Sequence, residues 1–154
     1  MRSRHSTLRS RAIAGLLLLA STAAQAVLIV SAPWVRPTPE RTATDAYMVI
    51  TSTEDALLKE ARSIVATTVV FRGATGVKTF PQLALPAGTP VVLAADTYHL
   101  VLRGLAHPLY PGDRVPLVLT IETANGVRQE ISVAAEVRSR SPADDARRGQ
   151  QPGQ

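Results

Sequence analysis

Apolar and polar residues alternate along much of the chain, which is the pattern of β-strands that bury one face. In the clearest case, residues 97–103, the two faces of one strand can be assigned. One face carries Tyr98, Leu100 and Leu102. The other carries His99, Val101 and Arg103. The same alternation predicts strands over Ala46–Thr51, Thr67–Phe71, Pro90–Ala94, 115–121 and 127–137.

Turn signals separate these strands. Ala124-Asn125-Gly126 stands between the last two strands, and Asn-Gly accommodates positive φ at both central positions of a hairpin turn. Eleven Pro and nine Gly interrupt the chain at other points. Only Asp55–Arg62 has helical propensity, and a short helix or a strand are both compatible with it. Short strands with Pro and Gly turns predict a single all-β domain, a sandwich or a barrel.

The two ends of the chain differ from this pattern. Basic residues precede the apolar run Ala12–Ala20, and Ala24-Gln25-Ala26 has the small-x-small pattern of a cleavage site. Residues 1–26 are therefore predicted to be a signal peptide, although an uncleaved anchor is the alternative. Nine apolar residues are too few to span a bilayer, which needs about 20. Residues 138–154 are predicted to be a disordered polar tail, which leaves 27–137 as the domain.

Charge and composition exclude several functions. The formal net charge is +5, but four Arg precede the apolar run and four follow Val137, so the domain carries nine basic and ten acidic residues. This balance argues against nucleic acid as a partner. The sequence has no Cys, which excludes disulfides, thiolate metal sites and a lipid-modified Cys. No nucleophile elbow, phosphate loop or zinc-protease motif is present, so an enzyme is not expected.

Several short motifs, taken in order, resemble the PCu(A)C family of periplasmic copper chaperones. They are Ala32-Pro33-Trp34-Val35-Arg36, Ala46-Tyr47-Met48, Leu85-Pro86-Ala87-Gly88, His99-Leu100, Gly104-Leu105, Pro108-Leu109, Gly112-Asp113 and the segment 115–120. The resemblance extends from Val30 to Val137. It implies a cupredoxin-like Greek-key β-sandwich, in agreement with the strand pattern.

The resemblance also implies a function. Members bind copper, chiefly Cu(I), through Met and His side chains on the outside of the sandwich, and they are linked to the assembly of cytochrome oxidase. Thioether and imidazole ligands suit this soft ion. In this sequence His99 matches one ligand, but Arg72, Phe80 and Val101 occupy the other three positions. The predicted metal site is therefore degenerate, with His99 as its one retained ligand.

Other residues offer two alternatives at this site. A His99/His107 pair with Asp96 or Asp113 would suit Cu(II) or Zn(II), whereas Met48 is expected in the core. In the second alternative, Val101 and Phe80 form an apolar patch edged by Arg72 and Arg103, which would suit contact with a protein.

The sequence as a whole predicts an exported binding protein, periplasmic or secreted, with no stable membrane span after signal cleavage. Copper remains a candidate ligand, and a copper protein or an oxidase assembly factor is the candidate partner. A metal-free interaction module on the same fold is the alternative.

Overall fold

The computed structural model describes residues 26–75 and 78–149. Within these ranges the chain forms ten strands and one helix. The strands are β1 (Leu28–Val35), β2 (Ala43–Ser52), β3 (Ala56–Arg62), β4 (Ala66–Arg72), β5 (Thr79–Phe80), β6 (Leu83–Leu85), β7 (Val91–Leu93), β8 (His99–Leu105), β9 (Arg114–Thr123) and β10 (Arg128–Val137). The helix is α1 (Pro142–Gly149).

One sheet connects the strands in the order β5-β4-β8-β2-β1-β10-β9-β3-β6, and β7 adds to β2. Strand β1 joins two halves of the sheet, one from β5 to β2 and the other from β10 to β6, because it pairs antiparallel with β2 and parallel with β10. The halves share one core cluster, whose largest fully buried side chains include Met48, Ile50, Leu58, Leu100, Leu117 and Leu119. The predicted all-β, cupredoxin-like Greek-key sandwich is confirmed, and so is the core position of Met48.

Strand β9 shows how the sequence pattern produces this core. Its alternate residues Val115, Leu117, Leu119 and Ile121 are all fully buried. Burying such a side chain stabilises the fold by roughly 1.5–3 kcal/mol. The partner strand β10 is less buried than its pattern predicts, because Ile131 and Val133 remain partly exposed. Val137 at its end is buried beside Val35.

The turn between β9 and β10 differs in type from the prediction. The hairpin is present, with Arg128 paired to Glu122. Among the turn residues only Gly126 has positive φ, at 80°. Its amide donates to the carbonyl of Thr123, which fits a type I turn followed by a glycine in the left-handed region. Asn125 therefore keeps negative φ, and Gly126 alone supplies the unusual conformation.

The structure resolves one open alternative and differs from one expectation. Residues 56–62 are a strand, because β3 is hydrogen-bonded to both β9 and β6. In the predicted disordered tail, Pro142–Gly149 is helical. The Ser141 hydroxyl accepts a hydrogen bond from the amide of Ala143, and Asp144 lies in the first turn, where acidic residues favour helix formation.

The predicted signal peptide lies outside the described residues, apart from Ala26 at its end. In the described part of the chain, no helix has the length and apolar character needed to cross a membrane.

A bulge in β1 decides which side chains reach the outer face of the sheet. Ser31 pairs with Val49, but Trp34 pairs with Tyr47, so Ala32 and Pro33 together stand opposite one residue. Ala32 has φ of 47°, which is rare for a residue with a side chain. In an unbroken register Trp34 would face the core. The bulge turns Trp34 outward over Tyr47 and places Val35 in the core.

Candidate functional site

One side chain from each of five neighbouring strands forms a row across the outer face of the sheet. The row consists of Thr79, Arg72, His99, Tyr47 and Trp34. Arg72 of β4 pairs directly with His99 of β8 on one side and with Thr79 of β5 on the other. On β2, Tyr47 places its ring 6.2 Å from that of His99. On β1, Trp34 continues the row with its ring 4.6 Å from that of Tyr47. Directly paired residues on adjacent strands face the same side of a sheet.

Strand β8 is buried on both faces over its first four residues. Leu100 and Leu102 lie in the core at 0% exposure, while His99 and Val101 on the outer face are only 8% and 5% exposed. Val70 pairs with Val101, so Val70 and Arg72 share the outer face as predicted. Arg103, the third outer residue, is exposed. His99 is therefore a mostly covered imidazole.

The polar contacts of His99 come from β2. Its Nε2 lies 4.0 Å from Oδ1 of Asp45, and its Nδ1 is buried without a hydrogen-bond partner in the described part of the chain. The Tyr47 hydroxyl donates to Oδ2 of Asp45 at 3.3 Å. Burial, followed by the Asp45 charge, raises the pKa of Tyr47 from 10.0 to about 12. Arg36 lies 5.6 Å above the Tyr47 ring, and its positive charge acts in the opposite direction.

The sequence did not single out Asp45 and Tyr47 as neighbours of His99. Their alternation with the core residues Ala46 and Met48 does place them on the outer face of β2. What the sequence lacked was the antiparallel pairing of β2 with β8, which brings Asp45 opposite Val101.

The structure moves one of the predicted ligand positions. Phe80 pairs with Phe71, which is buried in the core, so Phe80 lies on the opposite side of the sheet from His99. Its ring contacts Tyr98 edge-on at 5.3 Å. The β5 residue on the side of His99 is Thr79. The expected apolar patch of Phe80 and Val101 therefore does not form, since Phe80 faces away and Val101 is buried.

The alternative His99/His107 pair is not assembled either. His107 follows the end of β8 at Leu105, and His99 begins this strand. Six residues of extended strand separate these ends by roughly 20 Å. The Nδ1 atom of His107 is instead 2.8 Å from the Pro108 carbonyl oxygen. Asp113 is also engaged elsewhere, since its carboxylate accepts from the amide of Tyr110.

These positions do not fit a Met/His copper site. Within residues 26–75 and 78–149, no group of three or more His, Cys, Asp or Glu side chains could hold a metal ion. Met48, the one Met of the described chain, is 1% exposed in the core. Arg72, directly paired with His99, has no lone pair to offer and would repel a cation.

A cavity beside the row has a volume of about 750 Å³. Trp34, Tyr47 and Arg36 form one wall, and Ser139–Asp144 form another. His99 and Arg72 do not line it. Its position reflects the bulge in β1, because Ala32 and Trp34 both border it.

Comparison with known proteins places this chain in a family. A sequence profile described as "Putative lipoprotein LpqE-like" matches residues 28–137. The copper-bound PCuAC domain of PmoF2 is similar in structure, with a TM-score of 0.62 and 22% identity over 73% of this chain and 93% of that domain. The apo PCuAC domain of PmoF1 has a TM-score of 0.64 and 19% identity over 73% and 94% of the two chains.

A third similar structure is that of Cu(I)-bound DR1885 from Deinococcus radiodurans. Its TM-score is 0.59 and its identity 28%, over 78% of this chain and 83% of that one. No curated protein sequence matches the chain. The profile covers the whole sandwich, and the structural relatives share its strand arrangement. The chain therefore belongs to the LpqE-like family, and its fold is that of the PCuAC copper-chaperone domains.

Proposed function

We propose that this chain is an exported binding protein that acts through contact of its His99 face with another protein, and that it does not carry Cu(I) by itself. The observation that supports this is the direct pairing of Arg72 with His99. A guanidinium remains positively charged at all physiological pH values and cannot ligate. The retained imidazole thus stands beside a fixed cation, with Val101 next to it on the same face.

Copper handling remains the second candidate function. Three structural relatives are PCuAC domains or Cu(I)-binding proteins, and the unbonded Nδ1 of His99 keeps a lone pair when Nε2 carries the proton. In this case a partner would supply the missing soft ligands, and the pair of proteins would hold the ion during delivery or oxidase assembly. Such a site would exist only in the complex.

Export is supported by the N-terminal pattern and by the family description as a lipoprotein. The sequence has no Cys, so a thioether-linked lipid has no attachment point within these 154 residues. Cleavage after Ala26 would leave Val27 as the first residue. The nitrogen of Val27 donates to Oγ1 of Thr53 at 2.9 Å, and a new terminal ammonium group could keep this bond.

A Cu(I) titration under anaerobic conditions, against a chromogenic competing chelator, tests the proposed function. We expect the wild-type protein and His99→Ala to give the same trace, with no copper withdrawn from the chelator. Copper uptake by the wild type that is lost in His99→Ala would overturn the proposal. It would show that the chain alone completes a site around His99.

A variant that adds Met and His ligands around His99 tests the same proposal by trying to create a Cu(I) site. Arg72→His, Thr79→Met and Val101→Met together place soft ligands around His99 on the outer face. We expect this variant to withdraw Cu(I) from the chelator and to lose that ability when His99→Ala is added. The matched control is Thr68→Met with Arg103→His, since these residues form the pair at the other end of the same two strands.

A further inference from the structure

Arg72 is a cation on the outer face of the sheet, directly paired with His99. It is partly buried, and it forms no ion pair with any carboxylate in 26–75 or 78–149. Its Nε is buried and has no hydrogen-bond partner among the residues that the structure describes. A buried donor that makes no hydrogen bond is unfavourable, and more so when the group is charged. The fold therefore maintains an unfavourable arrangement that a suitable ligand would relieve.

His99, directly paired with Arg72, has the same deficiency. It is 8% exposed, and its buried Nδ1 makes no hydrogen bond with any residue in 26–75 or 78–149. Two unbonded nitrogens thus stand at paired positions of adjacent strands, where Cβ atoms are about 4.5–5.5 Å apart. Thr79 pairs with Arg72 on its other side and brings a hydroxyl to the same face.

We propose that Arg72 and His99 form a binding site for an oxyanion, with Arg72 as the principal contact. A guanidinium presents its donors in a planar fork that matches the two oxygens of a carboxylate or a phosphate. Nδ1 of His99 adds a donor when it carries the ring proton. The family resemblance gives the position of Arg72 to a ligand of a metal cation. With Arg at this position, the site would bind an anion.

The surrounding charges are compatible with this assignment. Asp45 is the carboxylate nearest to His99, but it lies on β2, whereas Arg72 lies on β4. Because β8 separates these strands, the imidazole stands between Asp45 and Arg72. Val70 and Val101, the next pair along the face, are uncharged. Asp45 is therefore separated from Arg72 by the imidazole, and Val70 and Val101 bring no negative charge to Arg72.

This oxyanion site deepens the proposed function, since its occupant would be an acidic group of the partner protein. A free inorganic anion would use the same donors. A partner protein and a free anion differ in what else they contact, because only a peptide extends beyond Arg72 along the outer face of the sheet. Inorganic phosphate and N-acetyl-tetraglutamate amide are therefore suitable probes, and N-acetyl-tetraglutamine amide is the uncharged control.

NMR titration of the 15N-labelled protein in low-salt buffer tests the site. We expect saturable shifts of the Arg72 Nε–Hε resonance and the His99 ring resonances with phosphate or with the acidic peptide. Tighter binding of the peptide would identify a protein carboxylate as the occupant, and binding of phosphate alone would identify a free anion. The glutamine peptide should cause no such shifts.

Variants separate this site from general attraction to positive charge. Arg72→Gln should weaken binding about tenfold or more, which corresponds to about 1.4 kcal/mol or more. Arg72→Lys keeps the charge without the fork, so it should also weaken binding. Arg103→Gln, which removes an exposed Arg from the same face, should leave the affinity unchanged. The amide spectrum of each variant reports whether the sandwich is intact.

Absence of saturation with both probes, or equal binding by wild type and Arg72→Gln, would overturn the oxyanion site. No copper is present in this titration. A failure here leaves the Cu(I) result unaffected, and copper uptake by the wild type would contradict the proposed function without bearing on anion binding.

Discussion

The two faces of β8 are both covered over its first residues, yet they differ in how their side chains are paired. On the core face, Leu100 and Leu102 are 0% exposed and belong to the central apolar cluster. On the outer face, His99 is 8% exposed, and its imidazole keeps an unbonded nitrogen. Burial on the core face is satisfied by packing alone. On the outer face it leaves a polar group incompletely paired, which is uncommon for buried groups in folded proteins.

This difference predicts that positions on the outer face tolerate substitution better than positions on the core face. The outer-face positions contribute little apolar area to the shared core, so their chemistry can be replaced without dismantling the sandwich. Arg72 and Val101 stand at two such positions. The core face has no equivalent freedom, because close packing penalises both cavities and added volume.

The largest expected effect comes from a cavity on the core face. Leu100→Ala should lower the free energy of unfolding by about 2–5 kcal/mol, since it removes a fully buried side chain. His99→Ala, at the adjacent position on the outer face, should cost about 1 kcal/mol. Urea unfolding of the two variants measures the difference. Equal losses would show that the faces are energetically equivalent.

A smaller effect is expected from the aromatic end of the row. Trp34→Ala should cost about 2 kcal/mol, because the Trp34 ring packs on Tyr47 at 4.6 Å and covers it. Tyr98→Ala is the matched control, since Tyr98 is 40% exposed and makes an edge contact with Phe80 on the other side of the sheet. Thermal unfolding followed by circular dichroism would compare them. A larger loss in Tyr98→Ala would contradict the importance given to the Trp34 contact.

The smallest effect appears only at high pH. The pKa of Tyr47 is raised from 10.0 to about 12, so the folded protein holds this proton more tightly than the unfolded chain. The contribution of Tyr47 to stability is therefore present below pH 10 and is lost as the pH rises to about 12. Tyrosinate absorbance during a pH titration reports the ionisation.

Asp45→Asn sharpens this measurement. Removing the Asp45 charge takes away the second largest cause of the raised pKa, while burial, the largest cause, remains. We expect Tyr47 to ionise at a lower pH in this variant, though still above its ordinary value. An unchanged titration would mean that Asp45 does not interact with the row as the structure indicates.

Much of the core could be predicted from the sequence. Alternation along 97–103 and 115–121 predicts shared faces, because the two-residue period is a property of each strand alone. All members of these faces except Tyr98 are fully buried, namely Leu100, Leu102, Val115, Leu117, Leu119 and Ile121. The neighbours of His99 in the site could not be predicted from the alternation within single strands. Which residue stands beside His99 depends on the pairing of strands that are far apart in sequence.

Trp34 and Phe80 show why that information was missing. Trp34 faces outward because the bulge at Ala32 and Pro33 shifts the pairing of β1 by one residue, and such a shift exchanges the two faces of a strand. Phe80 faces the core side because β5 pairs with β4 in a register that places Thr79 opposite Arg72. In both cases one residue of register decides the side.

The sequence by itself therefore determined the all-β class and the core faces of the main strands, since these depend on local alternation and residue identity. The tertiary structure decided that Arg72 stands directly beside His99, that Asp45 and Tyr47 adjoin it from β2, and that Thr79 takes the place expected for Phe80. The physical reason is that register between distant strands is set by hydrogen bonding and packing across the whole sheet, which no single segment encodes.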